Sequence, residues 1–412
     1  EEEIRIISLL QKLPFSLPHK IGELIPDFPA AAQFMWSQVK ANDFSKLAPK
    51  LAQEAISNDA DVIGIQEATI WYCKKNAWSK RTEVFNFTEQ FLAAIKAQGQ
   101  DYVLASKDGV TALNTGYSIA AIPFVTMVND PETFQPLFGQ DKAACGFEIA
   151  DALVIRADLS GKVLAVGNTE YEASYTVVPT IMTIYRGYSW ADIQIGNTPV
   201  RFVTTHLESL WDENKVPNAP KQAQQLISDL KETRNPIVIM GDFNSDPRDP
   251  RIADDPNVGG QPAASKSCPA GGSECSAYRL MFEAGFKDVG PDSLDPRNNT
   301  WGMNALLTGP DPDRLKYSQQ LGNFAGYSDR LDYVFLKNGA VPLVSRIIGA
   351  TPPNNLNSDH AGVVSLISID SDVTQRSADL PEHAPFPISF WQWVAIALSV
   401  LVIGIIVKKR FR

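Results

Sequence analysis

The chain has 412 residues, 44% hydrophobic and 20% charged. That composition excludes a disordered or fibrous polymer and suits one large globular domain or two ordinary ones. Its formal charge is −10, from 37 Lys and Arg against 47 Asp and Glu, and four of the basic residues (Lys408, Lys409, Arg410, Arg412) crowd the last five positions. So acidic a body is a poor electrostatic partner for duplex DNA, whose binding depends on neutralising phosphates.

Residues 4–10 (IRIISLL) form an apolar, β-branched run predicted as a first strand. Residues 26–38 read as a loop leading into a helix. Residues 43–57 carry Leu47, Leu51, Ala55 and Ile56 at helical spacing. A buried strand is expected over 61–67 (DVIGIQE), ending in the carboxylate of Glu67. Residues 87–97 form an amphipathic helix with Phe91, Leu92 and Ile95 on one face. Short strands are expected at 102–105 and 116–125. Residues 152–155 and 163–166 read as a hairpin about Ser160-Gly161, and 186–195 with 200–206 as another across Gly196-Asn197. A helix over 219–232 presents Ala223, Leu226, Ile227 and Leu230 inward.

Residues 235–247 (NPIVIMGDFNSDP) hold the most informative stretch. Four apolar residues, Ile237 to Met240, make a strand buried on both sides. Gly241 ends it, and Asp242 and Asn244 follow with Phe243 pointing elsewhere. A carboxylate and an amide at the end of a buried strand suit an anionic phosphate and an activated water; the same residues also form Asx turns. Residues 248–276 are rich in Asp, Pro, Gly and Ser and read as an insertion. A short helix at 278–284, strands at 332–336 and 341–350, and a last strand at 358–367 entered through a polar corner complete the domain. There is no internal repeat. Strands outnumber helices and the helices fall between groups of strands, which predicts an α/β fold: a four-layered sandwich of two packed mixed sheets flanked by helices, in one domain over residues 1–370.

Residues 371–389 are polar and hold three prolines, as an exposed linker does. Residues 390–407 are eighteen residues without a formal charge. As a helix they would span about 27 Å, close to the thickness of the bilayer hydrocarbon. Trp391 and Trp393 stand at the start, where an aromatic belt belongs, and a basic tail follows at 408–412. The expectation is a single-pass transmembrane helix with a cytoplasmic C-terminus and an extracytoplasmic domain. Cys268 and Cys275 bracket a short loop and are expected to pair, which implies an oxidising compartment. Cys73 and Cys145 either pair or stay buried as thiols.

Glu67, His206, Asp242, Asn244, Asp332, Asp359 and His360 all fall at or near ends of predicted strands, and the chain has only four His. Each alone reads as an ordinary strand-end or turn residue; their joint occurrence in this order does not.

Gln66-Glu67, Thr205-His206-Leu207, Gly241-Asp242-Phe243-Asn244, Arg330-Leu331-Asp332-Tyr333 and Ser358-Asp359-His360 together resemble the endonuclease/exonuclease/phosphatase superfamily of DNase-like folds. The resemblance spans residues 4–369. It implies a four-layered α/β sandwich and a metal-dependent hydrolase of phosphodiester or phosphomonoester bonds. By resemblance, Glu67 is the metal-binding carboxylate and Asp359 a second one. Oxygen donors select Mg²⁺, with Mn²⁺ as a substitute. Asp242 orients or deprotonates the attacking water. Asn244 and His206 contact the phosphate, and His360 faces it with Asp332 fixing its tautomer. One departure stands out: the family's first strand ends in Asn, where this chain has Leu10 followed by Gln11. The expected partners are a phosphoester substrate, a lipid head group being favoured by the anchor, and the membrane through residues 390–407. Duplex DNA is disfavoured and no protein partner is expected. The alternatives are a catalytically impaired surface binding module on the same fold and a nuclease acting on extracellular DNA.

Overall fold

A computed structural model describes residues 33, 36, 37, 39–76, 78–114, 127–178, 182–209, 217–251, 266–302, 312–349 and 358–369. All belong to one compact unit, Glu1–Ile369. The expected strands at 4–10 and 116–125, the residues Leu10 and Gln11, and the segments at 371–389, 390–407 and 408–412 lie outside the described residues. No helix among the described residues is long and apolar enough to cross a membrane.

In chain order, α1 (Phe44–Ser57) leads to β1 (Val62–Ile65), β2 (Ile70–Lys74), β3 (Thr82–Asn86) and α2 (Phe87–Ala97). Then come β4 (Tyr102–Leu104), the two-residue strands β5 (Ser106–Lys107) and β6 (Val110–Thr111), β7 (Met127–Asn129), α3 (Pro131–Phe138), β8 (Lys142–Glu148) and β9 (Ala152–Arg156). β10 (Val163–Glu170), β11 (Tyr175–Val178), β12 (Met182–Ile184), β13 (Gly187–Ile195) and β14 (Thr198–His206) precede α4 (Asn218–Leu230) and β15 (Ile237–Asp242). α5 (Ala277–Glu283), β16 (Lys287–Asp288), α6 (Pro312–Gln320), β17 (Asp332–Lys337), β18 (Val341–Ile348) and β19 (Gly362–Ser368) close the domain.

The helices form where apolar spacing and caps coincide. α2 places Phe91 and Ile95 in the core, with Leu92 only half-buried, and its N-cap Asn86 side chain accepts the Glu89 N–H at 3.1 Å. Two sheets carry the domain. One has the order β10-β13-β14-β15-β17-β16; the other is β1-β9-β4. One face of the six-stranded sheet (Val203, Ile237, Ile239, Phe335) packs on Ala223, Leu226 and Leu230 of α4 and on Met281 of α5. Its other face (Ala191, Phe202, Val238, Val334, Leu336) meets Leu153 and Ile155 of the small sheet. The far side of the small sheet (Val154, Tyr102) packs on Ala52, Ala55, Phe91 and Ile95 of α1 and α2. Helices, sheet, sheet and helices therefore stack in sequence. A four-stranded sheet, β3-β2-β8-β7, adds a separate core around Trp36, Trp71, Phe134 and Phe147.

Two sequence expectations need correction. Residues 152–156 and 163–170 are not a hairpin: β9 lies in the small sheet and β10 in the large one. The 3₁₀ turn Ala157–Lys162 carries the chain between sheets, burying Leu159 in the inter-sheet core. β1 is half-buried throughout and not fully buried. The 196–197 hairpin stands as expected, with Gly196 at φ 57° in its two-residue turn. Both cysteine pairs are bonded, Cys268 to Cys275 and, across the neighbouring strands β2 and β8, Cys73 to Cys145.

Candidate active site

Strand alternation builds the site. In β15, Ile237 and Ile239 face the helices while Val238 faces the second sheet, so the same alternation turns Asp242 toward the second sheet. Register brings His206, Asp242 and Asp332 abreast: His206 pairs with Asp242 across parallel β14 and β15, and Asp242 pairs with Asp332 across antiparallel β15 and β17. Phe202, Val334 and Leu336 on the same two neighbours belong to the inter-sheet core, so His206 and Asp332 share Asp242's face. The three side chains thus line one sheet edge, where two parallel strands end and a third begins. The small sheet reaches this edge through Gly64, where a Cβ would sit 2.9 Å from the Met240 Cβ, and Gln66 Nε2 donates to Thr204 Oγ1 at 2.8 Å. The next residue is Glu67, exposed and at φ 54°.

Beyond the strand ends the backbone is pinned. Asp242 Oδ1 accepts the Asn244 N–H at 2.8 Å, with Asn244 at φ 44°. The Asn244 amide donates to Leu207 O at 2.7 Å, and the Leu207 N–H donates to Asp242 O at 2.9 Å. Left-handed backbone at Glu67 and Asn244 costs about 1–2 kcal/mol each, strain that concentrates at functional sites. Phe243 points the other way, into the helix-facing core, 4.9 Å from the Phe335 ring. The following D-P-R-D-P-R run folds into a buried ionic network: Arg248 and the Arg330 N–H on Asp246, and Arg251 on both Asp249 and Asp329. It ties the loop after β15 to the approach of β17.

His360 arrives from a third segment. Trp301 bridges the backbone of both Asp329 and His360, and the Ala361 N–H donates to Thr300 O at 2.7 Å. Thr300 Oγ1 in turn accepts from the Asp332 N–H at 3.1 Å. His360 Nδ1 then lies 2.9 Å from Asp332 Oδ2, and its Nε2 lies 3.9 Å from Asp242 Oδ2. His206 Nε2 is 3.4 Å from the same Asp242 oxygen.

These neighbours set the charges. Burial and the Asp332 carboxylate push the Asp242 carboxyl well above its usual range, against the pull of His360 and the Asn244 N–H. Burial opposes a charge on His360, but Asp332, Asp242 and Asp359 more than offset it, and its pKa stands well above the ordinary imidazole value. His206 moves the other way: burial and the nearby Arg186 cation hold it neutral. The same edge contains an acid that the sequence reading did not single out. Asp151 is 3% exposed, and its Oδ1 has no hydrogen-bond partner among the described residues. Burial raises its carboxyl to about 7, with Arg186 and Asn114 pulling back and Glu67 pushing further.

Of the expected residues, the structure joins His206, Asp242, Asn244, Asp332 and His360 in direct contact. Glu67 is within electrostatic reach of Asp242 and Asp151, and Asp359 of His360. Among the described residues, Asp242, Asp332 and His360 form a group whose ligand atoms lie within 4.8 Å of one another and could hold a metal ion. Within it, Nδ1 of His360 and one Asp332 oxygen are already bonded to each other. The excess of carboxylates over cations here and the lone Asp151 Oδ1 fit a hard divalent cation on oxygen donors. Arg186, Glu208, Asp151 and the D-P-R-D-P-R network also escaped the sequence reading. Alternating Asp and Arg in residues 246–251 was the available signal for the last; nothing local marks Arg186 or Asp151.

Residues 171–365 match the Endonuclease/Exonuclease/phosphatase family model. No curated protein sequence matches the chain significantly. Among solved structures, an endonuclease/exonuclease/phosphatase family protein from Leptotrichia buccalis is similar at 18% identity, covering 78% of this chain and 93% of that one, with a TM-score of 0.44. D. rerio TDP2 complexed with single strand DNA product is similar at 17% identity, over 79% and 93%, with a TM-score of 0.43. The mannosyl-6-phosphatase Bt3783 of Bacteroides thetaiotaomicron is similar at 14% identity, over 80% and 93%, with a TM-score of 0.41.

Proposed function

We propose that the protein is a divalent-metal-dependent hydrolase of phosphoester bonds. The observation that carries this reading is a pair of distances at one sheet edge: a carboxylate-bound imidazole, His360 on Asp332 at 2.9 Å, whose other nitrogen faces the buried Asp242 at 3.9 Å. Asp242 orients a water and takes its proton as the water oxygen attacks phosphorus. The phosphorus–oxygen bond to the leaving group then breaks. His360, held cationic by its three carboxylate neighbours, stabilises the charge gathering on the phosphoryl oxygens. Asn244 and His206 supply neutral contacts to the same oxygens. Glu67, with Asp359 on the His360 side, would hold Mg²⁺ or Mn²⁺. Bound there, such an ion would supply positive charge beside the phosphoryl oxygens and would lower the proton affinity of Asp242.

Residues 371–389 serve as the linker and 390–407 as the membrane helix in this reading, which puts the domain outside the cytoplasm. Two disulfides support an oxidising compartment. A lipid head group is the favoured substrate because the helix would hold the site near a bilayer. The test is turnover by the full chain, with Mg²⁺ or Mn²⁺, of sphingomyelin, inositol phosphates, nucleotides, and single- and double-stranded DNA. Metal-dependent release of phosphate or of a phosphorylated product supports the reading. Metal binding without turnover of any substrate overturns it in favour of a binding module.

A further inference from the structure

His206 presents a problem of proton count. Its Nδ1 lies 3.0 Å from Arg186 Nη1 and its Nε2 lies 3.1 Å from Asn244 Nδ2. Both neighbours are donors as placed, yet a neutral imidazole accepts at one nitrogen only. Arginine has no acceptor atom, so the Arg186 contact is a hydrogen bond only if Nδ1 is bare. The Asn244 amide already donates to Leu207 O at 2.7 Å. A proton on Nε2 also has an acceptor, Asp242 Oδ2 at 3.4 Å. The opposite choice would set Nδ1–H against a guanidinium N–H at 3.0 Å in a buried site.

The geometry points to Arg186 as a positioning residue for His206: by donating from Nη1 to Nδ1 it confines the proton to Nε2 and aims that N–H at Asp242 and the phosphoryl site. The second half of the inference rests on the proposed hydrolase reading; the tautomer does not. Arg186 is suited to the task. Its side chain is 8% exposed, and its Nε lies 3.3 Å from Oε2 of Glu208, which is itself buried. The Glu208 N–H donates to Gln222 Oε1, and Gln222 Nε2 donates to Ala173 O, each at 2.8 Å. The guanidinium is thereby tied through Glu208 to α4 and to the segment before β11. Arg186 immediately precedes β13, whose Gly187 O accepts Thr205 Oγ1 at 2.9 Å, so strand pairing brings it to the His206 end of β14. A partner that fixes a functional imidazole in this way typically controls about 10- to 100-fold in activity.

The test is ¹⁵N-histidine NMR of the full chain, with His206 assigned by loss of its signals in His206→Gln. The expected pattern is a protonated Nε2 and a bare Nδ1. A protonated Nδ1 in the wild-type protein overturns the inference. Arg186→Met alone would strand Glu208 without its cation and can unfold the site. The paired variant Arg186→Met with Glu208→Met removes both charges, and Arg186→Lys restores a single donor. In the paired variant Asn244 is left to donate to Nε2, so part of the population should carry the proton on Nδ1. The value of kcat on a substrate found in the screen should fall by about 10- to 100-fold, KM should change little, and Arg186→Lys should recover part of the rate. An unchanged tautomer in a folded paired variant overturns the inference. If no phosphoester is hydrolysed, the hydrolase reading fails alone and the two NMR results still decide the role of Arg186.

Discussion

Replacing Asp151 with Asn should stabilise the protein at alkaline pH and do little at acid pH. The wild-type carboxyl is carried from 3.8 to about 7 by burial, and its Oδ1 lacks a hydrogen-bond partner among the described residues. A raised carboxyl pKa means that the folded state binds this proton more tightly than the unfolded chain does. Its contribution is therefore most favourable below the unfolded value and is lost as pH rises through about 7. One pKa unit is about 1.4 kcal/mol, so this span corresponds to about 4 kcal/mol between pH 4 and pH 8 as an upper bound. Asn has the same shape and no charge, and it faces Asn114, whose Nδ2 is also without a partner among the described residues. The assay is urea denaturation of wild-type and Asp151→Asn full chains in chelator at several pH values. The difference in unfolding free energy should grow by about 2–4 kcal/mol in favour of the variant from pH 4.5 to pH 8.5. Carboxylates elsewhere cancel in that difference. A difference that stays flat with pH, or one that favours the wild type at alkaline pH, refutes the reasoning.

Asp242→Asn and His360→Ala should each lower turnover about 10²- to 10⁴-fold while leaving the melting profile close to that of the wild type; near-normal rates in both would remove these residues from the chemistry. Glu67→Gln should raise the Mn²⁺ concentration needed for half-maximal binding by at least about tenfold, read by titration calorimetry without substrate. Unchanged affinity would move the metal to other donors. The two disulfides should differ in weight, because one closes a 72-residue separation and the other 7. Chain-entropy reasoning gives about 4 kcal/mol for Cys73–Cys145 and about 2 for Cys268–Cys275, testable by denaturation of the paired Cys→Ser variants, and an equal or reversed order would contradict it.

The parts of this site legible in sequence were those with a local pattern. Apolar residues from Ile237 to Met240 announce a strand, and a polar pair after Gly241 announces what it delivers. Alternation alone separates Asp242 from Phe243. Pairing partners were harder to read. Nothing in residues 152–166 says that the two strands enter different sheets, because a short polar turn looks the same whether it folds back or crosses over. β2, β3 and β8 were missed because their apolar residues serve a separate core in which Cys73 and Cys145 meet, a contact 72 residues apart in sequence. Arg186 and Asp151 were silent for a related reason. Their significance comes from burial beside His206 and Glu67, and a lone charged residue next to a strand looks like ordinary surface.

The abreast register of His206, Asp242 and Asp332 makes insertions and deletions behave very unlike substitutions here. Lose one residue between Ile237 and Gly241, with the strand's start held by its neighbours, and the side chains after the cut exchange faces. Asp242 would then be driven among Leu226 and Met281, and Phe243 would be offered to the phosphate. Chemistry and folding would fail together, since one alternation specifies both. The rule relaxes only outside the strands and beyond the buried ionic network of residues 246–251, where length added to a loop alters no pairing. Variation in chain length that leaves the reaction intact is therefore confined to segments outside the strands, and any tuning of what the site accepts must come from those loops.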